Sequence, residues 1–249
     1  MRVRSALLTM GVLCGVVLLL SAVGGVSIAN GAVDSIVHDA LMRHPDWLFQ
    51  MNEAAQQEQN LAQSAALRSQ IGQIAHDPSD PFVGSPQAKV TLVEWFDYSC
   101  PYCKKEHSVV DTIMRKNPAI RVVFKEFPIF GARIPGSEVA AKAALAIWKT
   151  QPARYLAFHD AMLSDPTPEG SLTPAHVLEI ARRIGCNVGD LQRAMATPEI
   201  QHQVDHNMRL GTSVRISATP SFVIDHGDGR VQIVSGAIPL DALQAGLHV

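Results

Sequence analysis

The sequence contains few cysteines and no strong charge bias, and both absences narrow the range of functions. Four cysteines in 249 residues are too few to hold the fold together through several disulfide bonds. The formal net charge is −2, and acidic and basic residues are interspersed. Proteins that bind nucleic acid usually carry a basic surface, so we exclude nucleic acid as a partner. Cys14 lies in an N-terminal apolar segment, which leaves Cys100, Cys103 and Cys186 in the rest of the chain.

The first 29 residues have the features of an export signal. Arg2 and Arg4 precede an apolar segment at residues 6–26, and residues 27–29 offer small side chains for cleavage. We therefore expect residues 1–29 to be a signal peptide and the mature protein to be periplasmic. Because the apolar segment is nearly long enough to span a membrane, an uncleaved N-terminal anchor is the alternative.

The sequence CPYC at residues 100–103 lies where a predicted strand, the apolar segment 90–96, ends and a predicted helix begins. Cys100 is then the N-cap residue and Pro101 the first helical residue, where proline's missing N–H costs nothing. Backbone N–H groups and the helix dipole favour a thiolate, so we expect an exposed Cys100 with a depressed pKa. We expect a shielded Cys103, placed to attack a disulfide formed at Cys100.

A CxxC pair can also be half of a zinc site, but no second CxxC or CxxH pair follows it. A metal-binding protein that uses the two cysteines and histidines is therefore the alternative of another class. His202 and His206 are four residues apart on a predicted helix without an evident third ligand, which favours a polar helix face. We interpret Cys186 as a small buried apolar residue, with a regulatory thiol as the alternative.

Two segments together resemble the DsbA-type branch of the thioredoxin superfamily: residues 96–104, which contain the CPYC sequence, and residues 219–224. Within that branch the chain is similar to ScsC-like proteins, which carry an additional helical N-terminus. The resemblance covers roughly residue 33 to the C-terminus. It implies an α/β thioredoxin-like fold with a helical insertion, plus an N-terminal helical arm. It also implies a thiol–disulfide oxidoreductase without a cofactor, because the cysteines carry the electrons.

The resemblance and the residue pattern together add two catalytic candidates. Glu94 lies six residues before Cys100 in the apolar strand, where thioredoxin-like proteins keep a buried acid. We expect a raised pKa there and a proton exchange with Cys103; a position at a sheet edge is the alternative. Lys125, in the next predicted strand at residues 120–127, is the expected partner of Glu94; a solvated lysine side chain is the alternative.

The second segment supplies expected client-binding residues. Pro220 stands immediately before a predicted strand, where it cannot join a central ladder, and a cis Thr219–Pro220 bond would explain its position. In relatives this loop faces the CxxC motif and pairs with the substrate chain. We therefore expect Pro101, Tyr102, Thr219 and Pro220 to contact client proteins.

The chain is predicted to have three parts after the signal. Residues 33–76 form a helical arm in two pieces, because Pro45 interrupts the helical pattern. A linker at residues 77–81 leads to the thioredoxin-like domain at residues 81–249, whose helical insertion covers about residues 134–214. The apolar stripe of the arm favours self-association; packing on its own domain or disorder is the alternative.

The sequence thus predicts an exported enzyme that forms, isomerises or reduces disulfide bonds in client proteins. The threonine before Pro220 and the arm favour isomerase or reductase activity, and a monomeric DsbA-type dithiol oxidase is the alternative. An interaction protein held at the cell envelope and built on the arm is a further class. For the enzyme, we expect a membrane redox partner that keeps the cysteine pair either oxidised or reduced.

Overall fold

A computed structural model describes residues 30–247, and the expected signal peptide or anchor at residues 1–29 lies outside them. The chain divides into two compact units between Gln59 and Asn60. Among the helices of the described part, none is both long enough and apolar enough to cross a membrane.

The first unit contains α1 (Asn30–Arg43) and the beginning of α2 (Asp46–Ala75). The helices are separate because the chain turns at Pro45, as the sequence predicts. Large apolar side chains of this unit are exposed to solvent: Val33, Ile36, Val37, Met42, Trp47, Leu48, Phe49 and Met51. Within the described residues 30–59, this unit therefore presents an apolar surface to solvent.

The second unit contains a mixed five-stranded sheet. Its strands are β1 (Phe82–Gly84), β2 (Thr91–Phe96), β3 (Arg121–Glu126), β4 (Ser221–Asp225) and β5 (Val231–Ser235). The order across the sheet is β1-β3-β2-β4-β5, with β2 and β3 parallel and the other neighbours antiparallel. Because β2 lies in the middle, all of its residues are buried, which explains its almost continuous apolar sequence.

Helices cover the two faces of this sheet. The helix α3 (Pro101–Lys116) connects β2 to β3, and α9 (Leu240–Leu247) follows β5. The predicted helical insertion lies between β3 and β4. Its α-helices are α4 (Pro135–Thr150), α5 (Tyr155–Leu163), α6 (Pro174–Arg183), α7 (Val188–Met195) and α8 (Pro198–Ser213). The arrangement confirms the predicted α/β fold with a helical insertion.

The core has two parts, one on each face of the sheet. Leu92 and Phe96 of β2 point to the face covered by α3 and the insertion. Val93 and Trp95 point to the opposite face, because neighbouring residues of a strand alternate between faces. The C-terminal half of α2 contributes fully buried side chains to this second part: Leu67, Ile74 and Ala75.

The structure therefore moves the expected boundary of the arm. Residues 60–75 belong to the second unit, so only residues before Asn60 form a separate part. The predicted linker is also fixed in place, because Asp80 is fully buried and forms an ion pair with Lys125. The ammonium of Lys125 donates a second hydrogen bond to the carbonyl of Gln73 at 2.7 Å. A side-chain network thus holds the end of α2 and the following segment on the sheet.

Candidate active site

Cys100 lies at the N-terminus of α3, at the carboxyl end of the central strand β2. Its backbone is extended, with φ −80° and ψ 120°, and Pro101 begins the helix. The turn before it is fixed by Asp97, whose carbonyl accepts a hydrogen bond from the Cys100 N–H at 3.0 Å. The buried carboxylate of Asp97 accepts further hydrogen bonds from the Ser99 N–H at 2.7 Å and the Ser137 hydroxyl at 2.7 Å. The position of the thiol is therefore set by the strand, the turn and the insertion together.

The pKa of Cys100 is lowered to about 6. The main cause is a hydrogen bond from the Cys103 thiol to the Cys100 sulfur, with smaller contributions from the Thr219 side chain and the backbone N–H groups of Cys103 and Tyr102. Burial opposes the shift. Only 2% of Cys100 is exposed, which corrects the expectation of an exposed nucleophile.

Cys103 has the opposite character. It is fully buried on the inner face of α3. Burial raises its pKa well above the ordinary value, and the neighbouring charges of Cys100 and Glu94 act in the same direction. At neutral pH the pair therefore consists of one thiolate and one thiol, the arrangement that thiol–disulfide exchange needs.

The Thr219–Pro220 loop lies directly beside the cysteines. The peptide bond between Thr219 and Pro220 is cis. As a thiol, Cys100 donates a hydrogen bond from Sγ to the Thr219 carbonyl oxygen at 3.3 Å. The two motifs that are distant in the sequence are thus adjacent, and Tyr102, which is 64% exposed, lies on the surface next to them.

Glu94 is buried in the central strand beneath this site. It is 1% exposed, and neither carboxylate oxygen has a hydrogen-bond partner in the part of the chain that the structure describes. Burial is the main cause that raises its pKa to about 8, and the charge of Glu106 adds to the effect. The sheet-edge alternative is thereby removed.

The expectation that Lys125 pairs with Glu94 is wrong. In the parallel register of β2 and β3, Glu94 lies opposite Phe124, and Lys125 lies opposite Trp95. Adjacent residues of a strand point to opposite faces, so Lys125 is on the far side of the sheet from Glu94 and pairs with Asp80. Lys125 supports the fold rather than the cysteines.

The sequence interpretation missed two buried carboxyl groups near the site and the residues that bind them. One is Glu106 on α3, which is 3% exposed and accepts a hydrogen bond from the Ile238 N–H at 3.2 Å. The other is Glu126, whose carboxylate accepts hydrogen bonds from the hydroxyls of Tyr98 and Tyr155, each at 3.2 Å. Tyr98 is two residues before Cys100, so this second group helps to position the loop that carries the thiol.

The other residues singled out in the sequence are His202, His206 and Cys186. Within residues 30–247 no three His, Cys, Asp or Glu side chains are placed to hold a metal ion together. The Nε2 atom of His206 lies 3.7 Å from a carboxylate oxygen of Asp77. Cys186 is buried and 5% exposed, consistent with its interpretation as a small apolar residue.

Similarity to known proteins covers most of the chain. The family described as DSBA-like thioredoxin domain matches residues 91–248. Among solved structures, BcfH of Salmonella enterica Typhimurium superposes with a TM-score of 0.73 at 30% sequence identity, covering 87% of this chain and 93% of BcfH. A linker-deletion mutant of Proteus mirabilis ScsC superposes with a TM-score of 0.67 at 25% identity, covering 90% of this chain and 96% of that chain.

Curated proteins are also similar over part of the chain. The Na(+)/H(+) antiporter NhaA 3 of Salinispora tropica is 25% identical over 167 residues, which are 65% of this chain and 25% of the antiporter. This chain thus spans about a quarter of that relative's length. Disulfide bond formation protein D of Bacillus subtilis is 26% identical over 152 residues, covering 58% of this chain and 67% of that protein.

Proposed function

Because the chain belongs to the DSBA-like thioredoxin domain family, we propose that its thiol–disulfide oxidoreductase chemistry acts on disulfide bonds of client proteins, mainly by isomerising them. The observation that carries the proposal is the pair of unlike thiols. Cys100 has a pKa of about 6 at the start of α3, and Cys103 is a buried thiol of raised pKa one turn later. The Thr219 carbonyl beside Cys100 supplies a main-chain acceptor where a client chain would lie.

The reaction begins when the Cys100 thiolate attacks one sulfur of a client disulfide. The client S–S bond breaks, a disulfide between Cys100 and the client forms, and the other client sulfur leaves as a thiolate. A different client thiolate can then attack the client sulfur of this mixed disulfide. That step forms a rearranged client disulfide and returns Cys100 as a thiolate, with no net oxidation of either protein.

A second outcome uses Cys103. After losing its proton, Cys103 attacks Cys100, the bond between Cys100 and the client breaks, and the client leaves reduced by two electrons. The enzyme is then oxidised to the Cys100–Cys103 disulfide, and a membrane redox partner would have to return it to the dithiol. The same steps in reverse transfer a disulfide to a client.

Glu94 is the proposed proton partner of Cys103. Its charge is close enough to raise the pKa of Cys103. With a pKa of about 8, Glu94 is mainly protonated at neutral pH, so it can donate a proton when Cys103 leaves as a thiolate. Only its deprotonated fraction can accept the proton when Cys103 attacks.

The exposed apolar side chains of the first unit favour self-association, and an assembly would suit isomerisation better than disulfide donation. These side chains include Phe49, which is 73% exposed, and a second copy of the same surface would cover them. An assembly could keep one pair of cysteines near another and away from a partner that oxidises monomers. We place the protein in the periplasm on the basis of the signal-like residues 1–29.

A monomeric dithiol oxidase remains the second candidate, and one observation favours it. A thiolate of pKa about 6 is a good leaving group, so the low pKa of Cys100 favours release of a client that has received a disulfide.

One trapping experiment tests the chemistry. In cells that export the protein, the Cys103→Ala variant should accumulate disulfide-linked complexes with clients, because the mixed disulfide at Cys100 is no longer resolved by the enzyme. The Cys100→Ala variant is the matched control and should form none. Equal trapping by both variants, or by neither, would contradict the proposal.

A second experiment separates isomerase from oxidase. Removing residues 1–59 deletes the first unit and leaves the catalytic unit intact. We expect this variant to lose the refolding of scrambled ribonuclease and to keep oxidation of a reduced peptide. Loss of both activities, or retention of both, would count against the role of the arm. A full-length chain that oxidises the peptide but does not refold scrambled ribonuclease would favour the monomeric oxidase.

A further inference from the structure

Glu106 is a buried carboxylate on the same helix as the two cysteines. It lies three residues after Cys103, so both residues are on the inner face of α3. Its Oε1 accepts a hydrogen bond from the Ile238 N–H in the segment between β5 and α9. That single bond satisfies one oxygen of a side chain that is only 3% exposed. Its position inside the fold needs an explanation, because burying a carboxyl group without full hydrogen bonding lowers the stability of the folded state.

The immediate neighbours of Glu106 contain one further acid and one thiol of the site. The charge of Glu106 raises the pKa of Glu94, and the charge of Glu94 raises the pKa of Cys103. The three groups thus form a series from the reacting thiol, through a carboxyl without hydrogen-bond partners in the described chain, to a second carboxyl. Glu94 itself is 1% exposed, so a proton on it has no direct route to water.

A surface cavity of about 400 Å³ lies at the end of this series. Residues from α3 and from the segment before α9 line it: Lys105, Glu106, Ser108, Val109, Ala237, Ile238 and Pro239. Glu106 therefore lines the cavity and also lies on the inner face of α3, the face that carries Cys103.

We propose that Glu106 is a positioning residue that carries protons between the buried Glu94 and this surface cavity during each exchange at Cys103. The inference rests on the proposed role of Glu94. When Cys103 attacks the mixed disulfide, its S–H proton passes to Glu94, and Glu94 passes a proton through Glu106 to solvent in the cavity. The reverse transfer reprotonates Cys103 when it leaves. Each proton transfer breaks one bond to hydrogen and forms another, so atoms and charge balance, and only the sulfur atoms change oxidation state.

Few other charged groups surround Glu106. Lys105 and Cys103 lie on its own helix, and Glu94 lies on β2. The segment 236–239 contains no charged residue, and Asp241, which is exposed, is the charged residue of α9. A pH effect of Glu106 on the reaction should therefore act through Glu94.

The test is the pH profile of two successive steps with a chromogenic aryl disulfide in a single turnover. The first release of the chromophore reports attack by Cys100, and the second release reports attack by Cys103. We expect Glu106→Gln to slow the second step by about tenfold at neutral pH and to change its pH profile. The first step should keep its profile, because the main causes of the pKa shift of Cys100 are hydrogen bonds from Cys103, burial, and hydrogen bonds from Thr219 and Tyr102.

A merely structural role of Glu106 makes a different prediction. The Gln side chain retains Oε1 and can still accept the hydrogen bond from Ile238, so an anchoring role would leave both steps unchanged in Glu106→Gln. It would slow both steps only in Glu106→Ala. Small buffer acids that enter the cavity should restore the second step in Glu106→Gln, since they replace the missing proton carrier. A slow second step that does not respond to added buffer would overturn the proton-carrying role.

Two controls separate the inference from the proposal on which it depends. Asp111→Asn removes another acid of α3, one that pairs with Arg115 on the outer face, and should leave both steps unchanged. Glu94→Gln should slow the second step as well. If Glu94→Gln slows it and Glu106→Gln does not, the role of Glu106 is wrong and that of Glu94 stands; if neither does, both roles fail.

Discussion

At the scale of single residues, the acidity of Cys100 depends on its partner thiol more than on the helix. The hydrogen bond from Cys103 contributes most to the lowered pKa, ahead of Thr219 and the backbone N–H groups at the start of α3. The helix N-terminus explains why a cysteine is suited to this position, but the second cysteine explains why the thiolate dominates at neutral pH.

Replacing Cys103 should therefore make Cys100 less acidic. We expect Cys103→Ala to raise the pKa of Cys100 from about 6 towards its ordinary value of 9.0, because the sulfur loses its main hydrogen-bond donor while its burial is unchanged. Thiolate absorbance followed against pH measures the shift. Cys186→Ser is the control and should leave the titration unchanged; an unaltered titration in Cys103→Ala would disprove the assigned cause.

Glu94 should make the stability of the reduced protein depend on pH. Its pKa rises from 4.5 to about 8 on folding, so the folded state binds a proton that the unfolded state releases between these values. The contribution of Glu94 to the free energy of unfolding is therefore largest below pH 4.5. It falls by about 1.4 kcal/mol per pH unit as the pH rises towards about 8. Denaturant unfolding of Glu94→Gln should lack this fall. Parallel pH profiles for the two proteins would contradict the raised pKa.

Sequence reasoning located some of these residues and missed others for identifiable reasons. The cysteines and Pro220 could be found because each stands at the junction of a strand with another element. Glu106 shares the helical spacing of Cys103 and Val110 and could have been noticed as an acid on an apolar face. The sequence could not show that Lys125 faces away from Glu94, because that depends on the register of β2 and β3, which the sequence leaves open.

At the scale of elements, the predicted strands and helices agree with the structure where apolar runs are long. The prediction fails where contacts between distant segments determine whether a residue is in a strand or is buried. The short β1 has only three residues and no pattern of its own. The second half of α2 shows the same helical pattern as the first, yet Leu67 and Ile74 are buried against the sheet. The ion pair of Asp80 and Lys125 joins distant segments, so no local signal indicates it.

Breaking this buried pair should destabilise the second unit strongly. Asp80→Ala leaves the ammonium of Lys125, which is fully buried, without its counter-charge. We expect a loss of about 3–5 kcal/mol in the free energy of unfolding. The exposed pair of Lys149 and Glu199 is the matched control, and Glu199→Ala should change stability by no more than about 1 kcal/mol. Similar effects of both variants in urea unfolding would show that Lys125 is not dependent on Asp80.

At the scale of the whole molecule, the two units have different requirements for stability. The second unit has a core on both faces of its sheet, including side chains from α2. The described part of the first unit, residues 30–59, consists of helical segments whose large apolar side chains are exposed within one chain. Its order in solution should therefore depend on contacts with another copy, and the assembly should be lost without affecting the fold of the catalytic unit.

Two truncations that differ by a short segment test this division. A chain that begins at Asn60 should be monomeric and as stable as the catalytic unit of the full chain, because it retains Leu67, Ile74 and Ala75. A chain that begins at Pro78 loses these side chains and exposes the face of the sheet that contains Trp95. Since each large aliphatic side chain contributes about 1.5–3 kcal/mol when buried, the shorter chain should unfold at a clearly lower denaturant concentration.

Light scattering measures the assembly of each truncated chain, and urea unfolding measures its stability. Equal stability of the two truncations would return the boundary to residues 77–81, and a dimer or trimer formed by the Asn60 chain would place the self-associating surface outside the first unit.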